Sequence, residues 1–220
     1  MTAPVVLVMA KVPIPGLVKT RLAATEGPVR AARLATAALL DTLDVCEVAF
    51  GLGRCHLSLG GDLALLDDAL LAARLRAWTI HPQRGSDLGD RIANAHRDVH
   101  AVSGTPVVQI GMDTPQASSR DLDAIARLVS VDRPVLGLAD DGGWWVLASG
   151  EPAHVNGLEQ VPMSTPGTGR ATWNLLQARA RTVGVAPMMR DVDEAVDAEH
   201  VAALAPATRF ASAWRAGRVS

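Results

Sequence analysis

Short β-branched runs alternate with longer amphipathic segments along most of the chain, and this alternation limits the possible folds more than any other feature. The run from Val5 to Met9 has no polar interruption, which is typical of a strand buried on both faces. Further strands are predicted over residues 55–60, 78–82, 106–112, 134–139, 144–149 and 185–189. Helices are predicted over residues 28–48, 62–75, 88–102, 118–130, 167–184 and 193–204, with Ser118 or Ser119 as a helix cap.

This alternation predicts an α/β fold in which a mostly parallel sheet is covered by helices. No linker or repeat interrupts the 220 residues, so we expect a single domain over residues 1–220. Hydrophobic residues make up 49% and charged residues 20%, which is typical of a folded chain. Cys46 and Cys55 form no C-x-x-C pair and are expected to be reduced structural thiols.

Charge and hydropathy exclude several classes of partner. The net charge of −2 gives no general attraction to nucleic acid or to an anionic membrane, and scarce aromatic residues argue against a single-strand binding platform. No apolar run reaches the length of a membrane span, and the first residues lack the charged region of a signal peptide. We therefore expect a cytoplasmic protein with small-molecule ligands.

The segments that follow the predicted strands carry much of the charge, glycine and proline. In parallel sheets, ligands bind beyond the carboxyl ends of the strands. Four such segments therefore predict one site: KVPIPGLVKTRL (11–22), PQRGSDLGDR (82–91), MDTPQ (112–116) and DDGG (140–143).

The segment after the first strand combines turn formers with three positive charges. Lys11, Lys19 and Arg21 could neutralise a diphosphate or triphosphate, and Gly16 would let the backbone approach it. The spacing of a P-loop is absent. On composition alone, a solvated basic loop is the more common explanation.

Asp113 directly follows an apolar strand, where a carboxylate can hold a Mg²⁺ or Mn²⁺ ion that bridges substrate phosphates; a helix cap is the alternative. Asp191 or Asp193 could complete such a site, or could simply begin a helix favourably. His96 and His100 lie four residues apart on a helix, but without a third ligand they are expected to be surface residues.

The DDGGWW segment could place a ligand against the backbone of Gly142 and Gly143, with Asp141 accepting a hydrogen bond from a hydroxyl. A hairpin bend explains the two glycines equally well. Trp144 and Trp145 should point to opposite faces of a strand, with one of them in the core. Arg84, Arg91 and nearby glycines precede a helix that could hold an anion, although a capped turn is also expected there.

Taken together, the segments resemble a known bacterial family. They are AKVPIPGLVKTRL (10–22), QRGSDLGDR (83–91), IGMDTPQ (110–116), LADDGGWWVLA (138–148), MSTPGTGRAT (163–172) and DVDEAVDAEHV (191–201). The family is the "transferase 1" group associated with radical-SAM and selenodomain clusters, first catalogued as a domain of unknown function. It is similar to the GT-A, nucleotide-diphospho-sugar transferase superfamily, which implies a three-layer α/β/α sandwich with a mostly parallel sheet.

The resemblance also implies roles for individual residues. The expected catalytic residues are Asp113, Asp141 and Lys19, and the expected metal ligands are Asp113 and Asp193 for Mg²⁺ or Mn²⁺. Nucleotide phosphates would lie against Lys11, Gly16, Lys19, Arg21, Gln83, Gly85 and Arg91. The sugar or acceptor would lie against Asp141, Gly142, Gly143, Trp144, Ser164 and Thr165.

The expected function is transfer of a group from an activated nucleotide with the help of a metal ion. A glycosyltransferase that uses a nucleotide-diphospho-sugar and a small-molecule acceptor is the first hypothesis. A nucleotidyltransferase that joins an NTP to a phosphorylated or acidic small molecule is the alternative, and it would release pyrophosphate. A nucleotide-binding protein without turnover is the third.

Overall fold

A mostly parallel β-sheet forms the centre of the molecule, in a computed structural model that describes residues 2–216. The strands are β1 (Val5–Lys11), β2 (Cys55–Gly60), β3 (Thr79–Pro82), β4 (Val107–Gly111), β5 (Val135–Leu138), β6 (Trp144–Ser149) and β7 (Gly184–Val185). Within residues 2–216 they form one seven-stranded sheet in the order β3-β2-β1-β4-β6-β5-β7. Strand β6 is antiparallel to both β4 and β5, and the other pairings are parallel.

Helices cover both faces of this sheet. They are α1 (Thr20–Glu26), α2 (Pro28–Phe50), α3 (Ala69–Arg76), α4 (Leu88–Ser103), α5 (Ser119–Leu128), α6 (Thr168–Arg179), α7 (Ala195–Leu204) and α8 (Arg209–Ala216). Helices α2, α3 and α5 share one apolar core with the sheet, and α4 and α6 share another core with the opposite face. The predicted three-layer α/β/α arrangement is confirmed.

Strand β1 shows how the sequence produces these two cores. Because side chains alternate along a strand, Val6 and Val8 enter the core under α2, while Val5 and Leu7 enter the core under α4. All four are 5% exposed or less. The uninterrupted apolar run is therefore needed, since both of its faces are covered.

The order of the strands reverses between β1 and β4. Chain connections run outward in opposite directions from this pair, so the loops after the two strands diverge and leave a crevice between them. Strands β1 and β4 pair in parallel register from Val5–Val107 to Met9–Gly111. The segments that begin at Lys11 and at Met112 consequently leave the sheet side by side.

The prediction of one helix over residues 62–75 is wrong in its first half. Leu63–Leu65 form a short 3₁₀ turn, and α3 begins only at Ala69. Asp62 accepts a hydrogen bond from the amide of Ala64, and Asp68 caps α3 by accepting one from the amide of Leu71. Aspartates compete in this way with helical hydrogen bonding, so they divide an otherwise helical pattern.

The prediction that His96 and His100 lie on the surface is also wrong. They are 0% and 7% exposed, because this face of α4 packs on the sheet. The hydroxyl of Ser149 bridges them, at 2.8 Å from His96 Nδ1 and 2.8 Å from His100 Nε2. His96 Nε2 lies 3.4 Å from Gln109 Oε1. A hydrogen-bonded chain, rather than solvent, satisfies these polar groups.

Helices α1 and α8 lie outside the ranges given for helices in the sequence analysis. The loop expected over residues 11–22 ends in helix α1, which was not predicted, and the chain continues beyond α7 into α8. Cys46 and Cys55 are buried and free, as predicted. Among residues 2–216, no helix combines the length and the apolar character that a membrane crossing requires.

Candidate active site

A cavity of about 760 Å³ lies at the carboxyl ends of β1 and β4, where the strand order reverses. Loops from all four predicted segments form its walls, together with residues 163–168 and the stretch around Asp191. The candidate site residues selected from the sequence that line it are Lys11, Lys19, Arg21, Gln83, Arg91, Asp113, Asp141, Gly143, Trp144, Ser164, Thr165, Asp191 and Asp193.

Lys19 comes to this cavity through an unusual backbone conformation. It precedes α1 with φ 48° and ψ 47°, the left-handed region that non-glycine residues rarely adopt. Ser164, with φ 58°, is the other such residue among positions 2–216, and it lines the same cavity. Strained backbone of this kind clusters at functional sites, because the surrounding structure must hold it in place.

The ammonium group of Lys19 lies among acceptors from two distant parts of the chain. It forms an ion pair with Asp113 and donates a hydrogen bond to the carbonyl of Val192. Its Nζ is also 3.9 Å from Asp193 Oδ1. The side chain of Lys19 is only 8% exposed, whereas those of Asp113 and Asp193 are 42% and 39% exposed.

The segment after β7 brings the late aspartates to the end of β4. The amide of Val192 donates to the carbonyl of Asp113 at 2.9 Å, and Gln116 Nε2 donates to the carbonyl of Arg190 at 2.6 Å. Asp113 is not a helix cap, since α5 begins at Ser119 with Ser118 as its cap. Asp113 and Asp193 thus face the same end of the cavity, as the sequence predicted for a shared site.

The carboxylates at this end affect one another's ionisation. Burial, followed by the negative charge of Asp113, raises the pKa of Asp191 to about 8. Burial also raises the pKa of Asp193, although the nearby charge of Lys19 opposes the shift. Asp141 contributes to both shifts in the upward direction. This part of the cavity therefore has an excess of negative charge and favours a further cation.

The residues present fit a divalent metal in their chemistry. Mg²⁺ and Mn²⁺ take oxygen ligands, and one or two carboxylates with substrate phosphates are sufficient for Mg²⁺. Within residues 2–216, no three acidic, histidine or cysteine side chains are arranged as a preformed metal site. The ammonium of Lys19 stands between Asp113 and Asp193, so a cation already occupies the space that the two predicted ligands share.

Further positive and polar groups surround this acidic end. Arg21 Nη1 lies 3.0 Å from Asp193 Oδ2, and its side chain is 60% exposed. Lys11 is exposed on the cavity wall at the end of β1. Gln83 donates from Nε2 to the carbonyls of Ala10 and Ser58, both at 3.0 Å, and so joins the ends of β1 and β2.

The β5–β6 hairpin and the 163–168 loop form another wall of the cavity. Asp141 Oδ1 accepts a hydrogen bond from the amide of Gly143 at 2.7 Å, which fixes the bend between the two strands. Trp144 lines the cavity, and its Nε1 donates to Thr172 at 3.2 Å. Trp145, on the other face, is 2% exposed, so the predicted division of the two tryptophans is confirmed.

Three of the selected glycines and one arginine do not line the cavity. Gly16 lies in an open turn, and Gly85 packs against the first turn of α4, where a Cβ would lie 2.6 Å from Asp90 Cβ. Gly142 packs on the 163–168 loop, and a Cβ there would lie 2.2 Å from the carbonyl oxygen of Pro166. Arg84 is paired with Asp98 on α4.

Several residues of the cavity were not selected from the sequence. Gln109 is 3% exposed and reaches the floor of the cavity from β4, where His96 holds its amide. The sequence does contain a signal for Gln109, because it is the polar residue inside the apolar run VVQIG. Thr114, in the MDTPQ segment selected from the sequence, also lines the cavity, and its buried Oγ1 has no hydrogen-bond partner among the described residues.

The sequence matches a family described as an uncharacterized protein conserved in bacteria (DUF2064), over residues 48–165. The chain belongs to this family. The matched DUF2064 region runs from the end of α2 to the 163–168 loop and includes Asp113 and Asp141. The match agrees with the resemblance that the sequence motifs indicated. No curated protein matches the sequence.

Solved structures share the fold of this DUF2064 member. A candidate nucleotide-diphospho-sugar transferase from Desulfovibrio desulfuricans G20 superposes with a TM-score of 0.77 at 24% identity, covering 99% of this chain and 95% of that one. A cytidylyltransferase from Leptospira borgpetersenii serovar Hardjo-bovis has a TM-score of 0.52 at 12% identity, covering 87% and 79%. A manganese complex of Rv0371C from Mycobacterium tuberculosis H37Rv has a TM-score of 0.51 at 18% identity, covering 94% and 100%. The predicted nucleotide-diphospho-sugar transferase fold is confirmed.

Proposed function

We propose that this protein is a metal-dependent transferase that takes its group from an activated nucleotide, and that it acts as one domain. One observation carries the proposal. Lys11, Lys19 and Arg21 line one cavity together with aspartates that include Asp113 and Asp193. Cations that can neutralise phosphates, beside carboxylates that can hold Mg²⁺ or Mn²⁺, are the combination that phosphate-transferring and diphosphate-releasing reactions need.

The most specific form of the proposal is glycosyl transfer from a nucleotide-diphospho-sugar to a small-molecule acceptor. When bound at Asp113 and Asp193, the metal ion would neutralise charge on the leaving diphosphate. Lys11, Lys19 and Arg21 would hold the diphosphate oxygens from the side of β1 and α1. The group to be transferred would then lie near the wall formed by the β5–β6 hairpin and the 163–168 loop.

The β5–β6 hairpin and the 163–168 loop would supply the groups that contact the sugar and the acceptor. Asp141 would accept a proton or a hydrogen bond from the acceptor hydroxyl. Trp144 offers an amphipathic ring against which a sugar can pack, and Ser164 and Thr165 offer hydroxyls at the rim. The likeness to a candidate nucleotide-diphospho-sugar transferase over almost the whole chain supports this form of the proposal.

Thermal unfolding with a panel of nucleotides tests the proposal directly. NTPs, nucleoside diphosphates and nucleotide-sugars are each added with Mn²⁺ or with EDTA. A ligand at 100 times its dissociation constant adds about 2.7 kcal/mol to the free energy of unfolding, which is a readable shift in melting temperature. We expect a Mn²⁺-dependent shift with one nucleotide-sugar, and release of its nucleoside diphosphate on longer incubation.

The released product separates the competing functions. Pyrophosphate released from an NTP would replace glycosyl transfer with nucleotidyl transfer, the chemistry that a cytidylyltransferase fold neighbour performs. A metal-independent shift without any product would favour a binding protein. No shift with any nucleotide would contradict the proposal.

Asp113→Asn is the variant that tests the metal role. The amide keeps the size of the side chain but removes its charge, so turnover should fall at least ~100-fold, as for loss of a central electrostatic group. Asp123→Asn is the matched control, because Asp123 forms an exposed ion pair with Arg127 on α5. Full turnover by a folded Asp113→Asn protein would rule out this assignment.

A further inference from the structure

Lysine is used at only two positions of this chain. Of 21 basic residues, Lys11 and Lys19 are the lysines, and both line the cavity. Arginine, which holds carboxylates in a fixed fork, supplies every other basic position. A lysine ammonium is instead a compact charge on a flexible stem, which can leave one set of acceptors for another.

The ammonium of Lys19 lies among oxygen atoms that could also hold a metal ion. Its ammonium contacts Asp113 and the carbonyl of Val192 and lies 3.9 Å from Asp193. These acceptors are all oxygens, which are also the ligands that Mg²⁺ and Mn²⁺ require. An ammonium and a divalent ion cannot share this space, since both are positive and each needs the same oxygens.

The site around Lys19 also limits how the ammonium can be released. The side chain is 8% exposed, so Lys19 gives up most of its contact with water to reach Asp113. Its left-handed backbone aims the side chain from the start of α1 at this position. The carboxylates keep access to the cavity, being 42% and 39% exposed. A ligand with phosphate oxygens could therefore approach from the cavity and offer the ammonium new acceptors.

We propose that Lys19 is an internal cation which holds the carboxylate site closed to divalent metal until phosphate oxygens of the substrate draw the ammonium away. Metal and nucleotide would then bind with positive coupling, and the free protein would bind metal weakly. This inference rests on the proposed function, because it assigns an order of binding to the same site. Lys19 changes partners during the process, from Asp113 and Asp193 to the substrate diphosphate.

Binding of Mn²⁺ to the protein without nucleotide tests this inference, with electron paramagnetic resonance of free Mn²⁺ as the readout. Lys19→Met removes the charge and keeps the length of the side chain. We expect Lys19→Met to bind Mn²⁺ at least ~10-fold more tightly than the unaltered protein, since removal of a competing charge at this distance is worth at least one decade. Lys19→Gln is the second variant, in case methionine impairs folding.

Lys11→Met is the matched control. It removes the same charge from the same cavity wall, but Lys11 lies on the exposed end of β1 and not between Asp113 and Asp193. Its Mn²⁺ affinity should stay within about 2-fold of the unaltered protein, as expected for a solvent-screened charge. Equal gains in Lys11→Met and Lys19→Met would overturn the inference, because the effect would then be one of net charge. Absence of Mn²⁺ binding in all the proteins would overturn it as well.

A second readout needs no substitution. Lysine labelled with ¹³C at Cε gives one side-chain signal for each of the two lysines. Titration with Mg²⁺ and the nucleotide found by thermal unfolding should move the Lys19 signal as the ammonium changes partners. A protein that binds nucleotide, but whose Lys19 variants gain no affinity for Mn²⁺, would contradict this inference and leave the proposed function standing.

Discussion

At the scale of single residues, Gly142 shows how one missing side chain shapes the cavity. It connects β5 to β6 with φ +89°, and its carbonyl accepts a hydrogen bond from the amide of Gly169 at 2.8 Å. A Cβ at this position would lie 2.2 Å from the carbonyl oxygen of Pro166. The hairpin can therefore contact the 163–168 loop only because no side chain separates them.

Gly142→Ala should destabilise the protein strongly for this reason. A non-glycine residue with left-handed backbone costs about 1 kcal/mol, and overpacking against backbone adds about 1–3 kcal/mol. Urea unfolding of Gly142→Ala is compared with that of Gly16→Ala, because Gly16 has φ +82° but no atom within 4 Å of an added Cβ. Gly16→Ala should lose only the free energy that the left-handed backbone costs, because its Cβ meets no neighbouring atom. Equal losses in the two variants would mean that the contact with Pro166 is not needed.

Residue types and spacing predicted much of the acidic end of the cavity, but not its internal pairing. Asp113 could be selected because it follows an apolar strand directly, and Asp191 or Asp193 because they follow the last predicted strand; the family resemblance favoured Asp193. The ion pair of Lys19 with Asp113 joins residues far apart in the chain, and it depends on the left-handed backbone of Lys19. Local sequence contains no signal for such a conformation in a lysine, because tertiary contacts impose it.

At the scale of elements, α5 begins with a complete capping box close to the cavity. Ser118 Oγ accepts a hydrogen bond from the amide of Asp121, and the Asp121 side chain accepts one from the amide of Ser118. This reciprocal pair satisfies two amides that the helix itself cannot. It also ends the loop that carries Asp113, so it fixes the chain between the site and the core.

Ser118→Ala should lower the free energy of unfolding by about 1 kcal/mol, the usual cost of losing a helix cap. Ser119→Ala is the matched control, because Ser119 is the first residue inside the helix and the cap hydrogen bond comes from Ser118. The sequence left the choice between these two serines open. Chemical denaturation gives the free energy of unfolding of both variants and so shows which serine caps the helix. A larger loss of this free energy in Ser119→Ala than in Ser118→Ala would contradict the cap geometry.

Elements with strong periodicity could be predicted, and those determined by competition between local and distant contacts could not. The β-branched runs predicted the strands, because β-branched side chains pack well on a pleated sheet. The helix predicted over residues 62–75 is divided because Asp62 and Asp68 bond to nearby amides. His96 and His100 were predicted to lie on the surface because no third metal ligand accompanies them, whereas in the structure Ser149 on β6 bonds to both buried rings.

At the scale of the whole molecule, buried histidines make the stability depend on pH. Desolvation lowers the pKa of His96 to about 3, that of His100 to about 4 and that of His56 to about 4, from an ordinary value of 6.5. His56 lies on β2, with its Nδ1 3.0 Å from Nε2 of His81 on β3. These rings stay neutral in the folded protein at a pH at which the unfolded chain binds protons.

The direction in which the stability changes with pH depends on whether the folded or the unfolded state binds more protons. Between pH 6.5 and about 4 the unfolded state binds more protons at these three histidines, so the free energy of unfolding falls as the pH falls. Asp191 acts in the opposite direction, because its raised pKa of about 8 makes the folded state bind a proton that the unfolded chain has lost. Asp193, whose pKa burial also raises, acts in the same direction as Asp191, whereas burial lowers the pKa of His81 and of His154 as well. The histidines outweigh the two carboxyl groups, and the stability should therefore decrease on acidification.

Urea unfolding from pH 7 to pH 4.5 measures this dependence. Each proton bound only by the unfolded state contributes about 1.4 kcal/mol per pH unit, so a net difference of two gives about 3 kcal/mol per unit at most. His100→Gln should flatten the slope by about one proton, because glutamine can still bond to Ser149 but does not titrate. A slope that His100→Gln does not change would show that the chain of His96, Ser149 and His100 is not what makes the fold sensitive to acid.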